Sequence, residues 1–177
     1  MKKMILSIVL LIAAVALLIT GLELFTSYKA SVTINTNAPV QTTKKIIIHA
    51  SPERIWTIMS RIDHWAEWHK DVQSPKLEGP FQAGSSFDWK SGGLTIHSTI
   101  HTAIPYTRIG WSGKAFGAFA IHNWSFTQIG ERTEVRVEES MEGWLVSLMR
   151  GKFQRGLEQS LETWMNNLKA EAERQDR

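Results

Sequence analysis

The chain opens on an unbroken apolar run. In "MKKMILSIVLLIAAVALLITGLEL" two lysines, Lys2 and Lys3, precede apolar residues from Met4 to Leu22, interrupted only by Ser7, Thr20 and Gly21. About 19 residues at about 1.5 Å each cover the roughly 30 Å of a bilayer's hydrocarbon core. A signal peptide is the rival reading, but its apolar part is usually 7–15 residues and ends at a small-x-small site. The stretch Glu23–Ala30 offers no good site of that kind. The expectation is an uncleaved transmembrane anchor over residues 1–22. Lys2 and Lys3 favour an amino terminus in the cytoplasm, which puts the rest of the chain outside as a single-pass protein of the cell membrane. Residues 23–43 are mostly polar and read as a linker, with a short strand conceivable over Ser31–Asn35. As flexible chain they reach on the order of 25 Å.

From residue 44 the pattern changes. Lys45–Ala50 is a short β-rich run. "ASPERIW" follows it with a helix start: Ser51 can cap, Pro52 suits the first helical position and Glu53 the first turn. Ile55, Trp56, Ile58 and Met59 give that helix an apolar side, and a second short helix carries Ile62, Trp65 and Trp68. Pro75, Gly79 and Pro80 mark turns around a strand near Lys76–Leu77. Then alternation takes over. Phe87 and Trp89 share a face, Ser91-Gly92 reads as a two-residue turn, and Leu94, Ile96, Ser98 and Ile100 share the next face. Pro105 breaks that strand. Ile109, Trp111 and Gly113 line a further one. The chain closes with apolar residues at helical spacing, Met149, Phe153, Leu157, Leu161, Trp164, Met165 and Leu168, in one long helix over about Leu145–Glu173. The order is β-α-α, about six antiparallel strands, then one long helix. It predicts an α+β fold in which a curved antiparallel sheet wraps the C-terminal helix and leaves a hollow where side chains are small.

One hairpin fixes a register. Ile129-Gly130-Glu131-Arg132 suits a two-residue turn with Gly first, which pairs Phe126 with Val135, Trp124 with Val137 and His122 with Glu139. Phe126, Val135 and Val137 make that side the inner one, so His122 and Glu139 face each other inside. A similar count brings Trp111 near His122. A buried carboxylate needs a partner, and the imidazole is the natural one. The pair is open to two readings: a satisfied polar pair at the mouth, or a ligand-orienting or acid/base pair. The expected cavity wall is Phe87, Trp89, Ile96, Ser98, Ile109, Trp111, His122, Trp124, Val137, Glu139, Phe153 and Leu157.

The other candidates carry less chemistry. His97 and His101 lie about 13 Å apart along a strand, too far for one metal, and opposite the apolar face, so they read as exposed. His64 and His69 lack the i, i+4 spacing that chelates on a helix. Trp65 and Trp68 read as core or rim, with a lid as the alternative. Phe116 and Phe119 read as packing or as an apolar gate. "NWS" at Asn123–Ser125 matches a glycosylation acceptor, but lies mid-strand.

Composition narrows the classes. There is no cysteine, which removes disulfides, thiol catalysis and cysteine metal sites. Net charge is +3 with scattered basic residues, and no basic-aromatic stripe of the kind nucleic-acid grooves need is present. Eight Trp are many for this length and suit a cavity or a dense core. No phosphate loop, Gly-x-Ser-x-Gly or dinucleotide fingerprint occurs, so no cofactor and no metal are expected.

"SPERIWTIMSRIDHWAEW", "LEGPFQAGSSFDWKSGGL", "RIGWSGKAFGAFAIHNWSF" and "TEVRVEESMEGW" resemble the SRPBCC superfamily, most closely its polyketide cyclase/dehydrase-like branch, related to START lipid-transfer domains. The resemblance covers about residues 44–172. It implies the helix-grip fold around a deep apolar cavity, and that His122, Glu139 and Gly143 match positions recurring in similar sequences. The domain is accordingly placed at 44–177. Three functions follow as expectations: a membrane-anchored carrier of a hydrophobic small molecule or lipid; a cyclase or dehydratase using His122 as acid or base and Glu139 as its orienter; or an accessory domain that binds a protein partner, its interior filled.

Overall fold

The structure, a computed structural model, describes residues 2–174; Met1 and the expected domain end at Arg177 lie outside them. Helix α1 (Lys2–Phe25) comes first, then β1 (Val40–Ile48), α2 (Pro52–Ser60), a 3₁₀ turn (Ile62–His64) and α3 (Trp65–Trp68). Strands β2 (Gln73–Leu77), β3 (Ser86–Ser91), β4 (Leu94–Ile104), β5 (Arg108–Ala115), β6 (Ala118–Ile129) and β7 (Arg132–Glu142) follow, and α4 (Trp144–Leu148) and α5 (Arg150–Ala172) end the chain. The seven strands form one antiparallel sheet in the order β1-β7-β6-β5-β4-β3-β2, curved around α5: a helix-grip α+β fold.

Local chemistry explains the start of α2. Ser51 caps it, its hydroxyl accepting from the Arg54 amide at 3.3 Å, with Pro52 in the first turn. The β6–β7 hairpin has the expected register, with Ile129 opposite Arg132 and Gly130 at φ 60°. The apolar stripe of α5 (Leu157, Leu161, Trp164, Met165 and Leu168) is buried against the inner face of the sheet.

Several boundaries differ from the sequence reading, each for a local reason. Strand β1 begins at Val40 and not at Lys45, because Thr42 and Thr43 pair with Glu139 and Glu138 although they are polar. The turn after β3 is Gly92-Gly93, with Ser91 opposite Leu94; both glycines have positive φ, as a type I′ turn requires. Pro75 does not end β2 but sits inside it, on an edge strand beside a register shift. The C-terminal helix is broken at Met149, which is left partly exposed at the joint instead of joining the buried stripe.

The segment between α1 and β1 contains no strand, and it does not hang free. It lies on the outer face of the sheet. Tyr28 stacks on Phe119 with ring centres 5.2 Å apart. The Asn123 amide donates to Val32 O at 3.1 Å, and Asn35 donates to Ser140 Oγ and to Glu142 Oε2. Outward-facing Phe119, stacked under Tyr28, is buried, and so is Ile121 on the same face. Residues 26–39 act as a strap. A chain starting at residue 44 loses this strap, the buried Val40 and four β1 pairings. It is expected to melt well below one starting at residue 26, by about 2–4 °C for each kcal/mol lost, checked by calorimetry of both.

Candidate functional site

The hollow arises from side-chain size. On the inner faces of β5 and β6 stand Gly113, Ala115, Ala118 and Ala120, small residues that all line the space facing α5. Between them and the helix lies a cavity of about 660 Å³. One lining residue, Trp164, is backed by further aromatic rings. Trp164 of α5 is central, with ring centres of Trp65 at 5.1 Å, Trp68 at 5.5 Å and His69 at 4.2 Å. Its exposed lining residues, among them Gly92, Leu94, Met149, Lys152 and Arg155, mark the mouth between the β3–β4 turn and the start of α5.

One row across the sheet carries the polar chemistry. Trp111, His122, Glu139 and Thr42 are consecutive cross-strand partners on β5, β6, β7 and β1. His122 Nδ1 lies 2.7 Å from Glu139 Oε2, with side-chain exposures of 12% and 4%. Trp111 stacks on the imidazole at 4.9 Å and 18°. The ring is thus clamped on one face by an indole and on one edge by a carboxylate. Among the described residues Nε2 of His122 has no hydrogen-bond partner, which leaves it as the atom available to a bound molecule. Such an arrangement can take or give a proton, or fix one polar group of an otherwise apolar guest.

The structure brings together eight of the expected wall residues: Trp89, Ile96, Trp111, His122, Trp124, Glu139, Phe153 and Leu157 all line the hollow. Phe87, Ser98, Ile109 and Val137 do not, among the described residues. Phe87 is covered by Trp65, edge to face at 5.5 Å. Ser98 is occupied as acceptor for Trp89 Nε1 at 3.1 Å. Ile109 and Val137 are buried in the packed core. Sequence reasoning missed the small residues of β5 and β6, whose signal was their unusual run, "SGKAFGAFA", on inward positions.

The remaining candidates separate cleanly. Trp65 is core, its indole donating to Met59 O at 2.9 Å, and half-buried Trp68 packs on Trp164. The Phe119 ring is held under Tyr28 on the outer face. Asn123 is engaged with the strap. His97 is exposed and paired with Asp88 at 2.8 Å. His101 is not exposed as expected: the register shift between Ile100 and Thr102 turns its ring over Gly110, and burial pushes its pKa below the ordinary value.

His69 is the other departure. It follows α3 in extended backbone, only 1% exposed, with both ring nitrogens lacking a hydrogen-bond partner. Burial holds its pKa below the usual 6.5 despite nearby Asp71. The folded state then resists a proton that the unfolded chain accepts near its ordinary value. Stability is full above about pH 6.5 and is lost as pH falls below it. Melting temperatures measured from pH 7.5 down to 5 should fall, and His69→Phe should flatten the decline.

A family model described as "Polyketide cyclase / dehydrase and lipid transport" matches residues 39–173. No curated protein matches in sequence. Solved structures share the fold at low identity. A hypothetical protein from Helicobacter pylori superposes with a TM-score of 0.70 at 12% identity, covering 82% of this chain and 99% of that one. A START superfamily protein from Mycobacterium smegmatis gives 0.61 at 14%, covering 75% and 97%. The di-domain ARO/CYC StfQ of the steffimycin biosynthetic pathway gives 0.66 at 17%, covering 76% of this chain and 50% of its own.

Proposed function

The chain belongs to the polyketide cyclase / dehydrase and lipid transport family, and from that premise we propose that it is a membrane-anchored binder of a hydrophobic small molecule or lipid. The observation that carries this is the hollow of about 660 Å³, mostly apolar, with a clamped imidazole–carboxylate pair on its sheet wall and polar side chains such as Lys152, Arg155 and Gln159 on its helix side. An alkyl chain left in water costs about 0.8 kcal/mol per CH₂, so a carrier of such molecules needs an enclosed apolar space. His122 then orients the guest's polar end. The same hollow speaks against the partner-binding reading, which requires a filled interior.

Anchoring is supported by α1, whose 24 residues are long and apolar enough to cross a membrane; a signal sequence shares that property. In the proposed topology Lys2 and Lys3 stay on the cytoplasmic side and the domain lies outside. Mass spectrometry of organic extracts from the full chain, purified in detergent, should find a co-purifying apolar species. Protein that is clean and also binds no apolar fluorescent probe would overturn the proposal.

A second reading, acid/base catalysis as in a cyclase or dehydratase, is favoured by the 2.7 Å spacing of His122 and Glu139 inside the hollow. The two readings diverge for His122→Gln. A carrier should lose about 1.5–3 kcal/mol of affinity for a guest with a charged polar end, and little for an apolar one. An enzyme should lose turnover while binding survives.

A further inference from the structure

The mouth of the hollow is built beside the end of α1. Glu23, in the last turn of that helix, accepts from the Gly117 amide at the tip of the β5–β6 hairpin and from Trp144 Nε1 at 3.4 Å. The hairpin tip is in turn locked to α4: Leu145 N donates to Gly117 O at 3.1 Å, and Phe116 meets the Trp144 ring at 5.4 Å. Around this joint stand apolar side chains that the fold leaves uncovered, Phe116 at 48%, Leu148 at 75% and Met149 at 37% exposure. Arg150, Lys152 and Arg155 follow at once on the exposed side of α5, and Met149, Lys152 and Arg155 line the mouth itself.

We propose that this rim docks on the bilayer that α1 enters, so that the cavity opens onto the lipid surface and its guest passes between membrane and hollow without crossing water. The proposal rests on the anchored-binder reading. Three features select a lipid surface over a protein partner. Helix α1 spans about 36 Å, longer than the hydrocarbon core, which places Glu23 at the interface. Glu23 ties the rim to that level. Apolar tips flanked by basic residues complement an anionic headgroup layer above acyl chains. Glu23 has a positional role: it fixes which end of the domain faces down.

The absence of cysteine makes the test clean. Full chains carrying Phe116→Cys, Leu148→Cys or, as control, Glu131→Cys are labelled with an environment-sensitive nitrobenzoxadiazole dye. They are reconstituted in phosphatidylcholine–phosphatidylglycerol vesicles. Position 131 lies at the opposite end of β6, about 40 Å away by strand rise. Labels at 116 and 148 should shift to the blue, be quenched by lipids spin-labelled near the headgroup, and resist aqueous iodide several-fold better than the label at 131. Equal iodide quenching at all three positions would overturn the docking. The immersion readout needs no guest. If N-phenylnaphthylamine fails to bind in detergent while the labels are immersed, the binder reading falls and the docking stands.

Discussion

Replacing Gly143 by alanine is expected to cost more than about 4 kcal/mol, a large part of the 5–15 kcal/mol that holds a domain of this size together. Gly143 joins β7 to α4 with φ at 133°, a conformation that L-residues rarely adopt, and forcing one there costs about 1–3 kcal/mol. The space is closed as well. A Cβ at this position would collide with Gly117 O and sit 3.0 Å from Ala118 Cα and Gly117 C. These are backbone atoms of a hairpin paired with β7, so they cannot swing aside as a side chain does. Relief would require the hairpin tip and α4 to part, which also breaks the Leu145–Gly117 bond and the seat of Glu23. The control is Gly156→Ala, in α5, where an added Cβ meets nothing within 4 Å. That change should be neutral or gain up to about 1 kcal/mol of helix propensity. Thermal unfolding of both variants checks the contrast. A Gly143→Ala melting temperature close to that of the parent would mean that the corner is not the rigid joint described.

The legible parts of this molecule were those where pattern and local chemistry agree. Ser51-Pro52-Glu53 announced a helix start, and Ile129–Arg132 announced a turn whose geometry fixes the partners of an entire strand pair. From that single turn the His122–Glu139 juxtaposition follows by alternation, and the sheet keeps the count without a bulge. Where a bulge does occur, between Ile100 and Thr102, the same logic failed, and His101 moved from the expected outer surface to a half-buried seat over Gly110. The strap was illegible for a different reason. Its grip is long-range: Asn35 reaches Ser140 and Glu142 more than a hundred positions away, and a polar segment bonded to a distant strand reads like a free one. The division of the interior into filled and hollow halves was hidden too. It depends on whether Trp65 or empty space meets Phe87, and spacing along one strand does not carry that.

That division yields the second large effect, at Ala120. This residue faces inward beside Gly113 and Met141, two positions before His122, and lines the hollow. In a filled core, enlarging a buried alanine to tryptophan forces neighbours off their rotamers and typically costs 1–3 kcal/mol or more. Here the new indole has a void to enter. The expected outcome for Ala120→Trp is a melting temperature within a few degrees of the parent, because ring burial offsets residual strain. Binding should respond in the opposite sense. The indole would fill part of the hollow next to His122 on the same face of β6, so a guest loses apolar contact and room beside its polar anchor. Affinity for an apolar fluorescent probe should fall about a hundredfold or more, which is about 2.7 kcal/mol of lost contact. Measuring unfolding and probe titration on the same preparation separates the two physical states of the interior. Strong destabilisation would show that the wall is packed and the hollow too shallow to serve. Retained stability with undiminished binding would place the guest elsewhere and remove His122 from its contact.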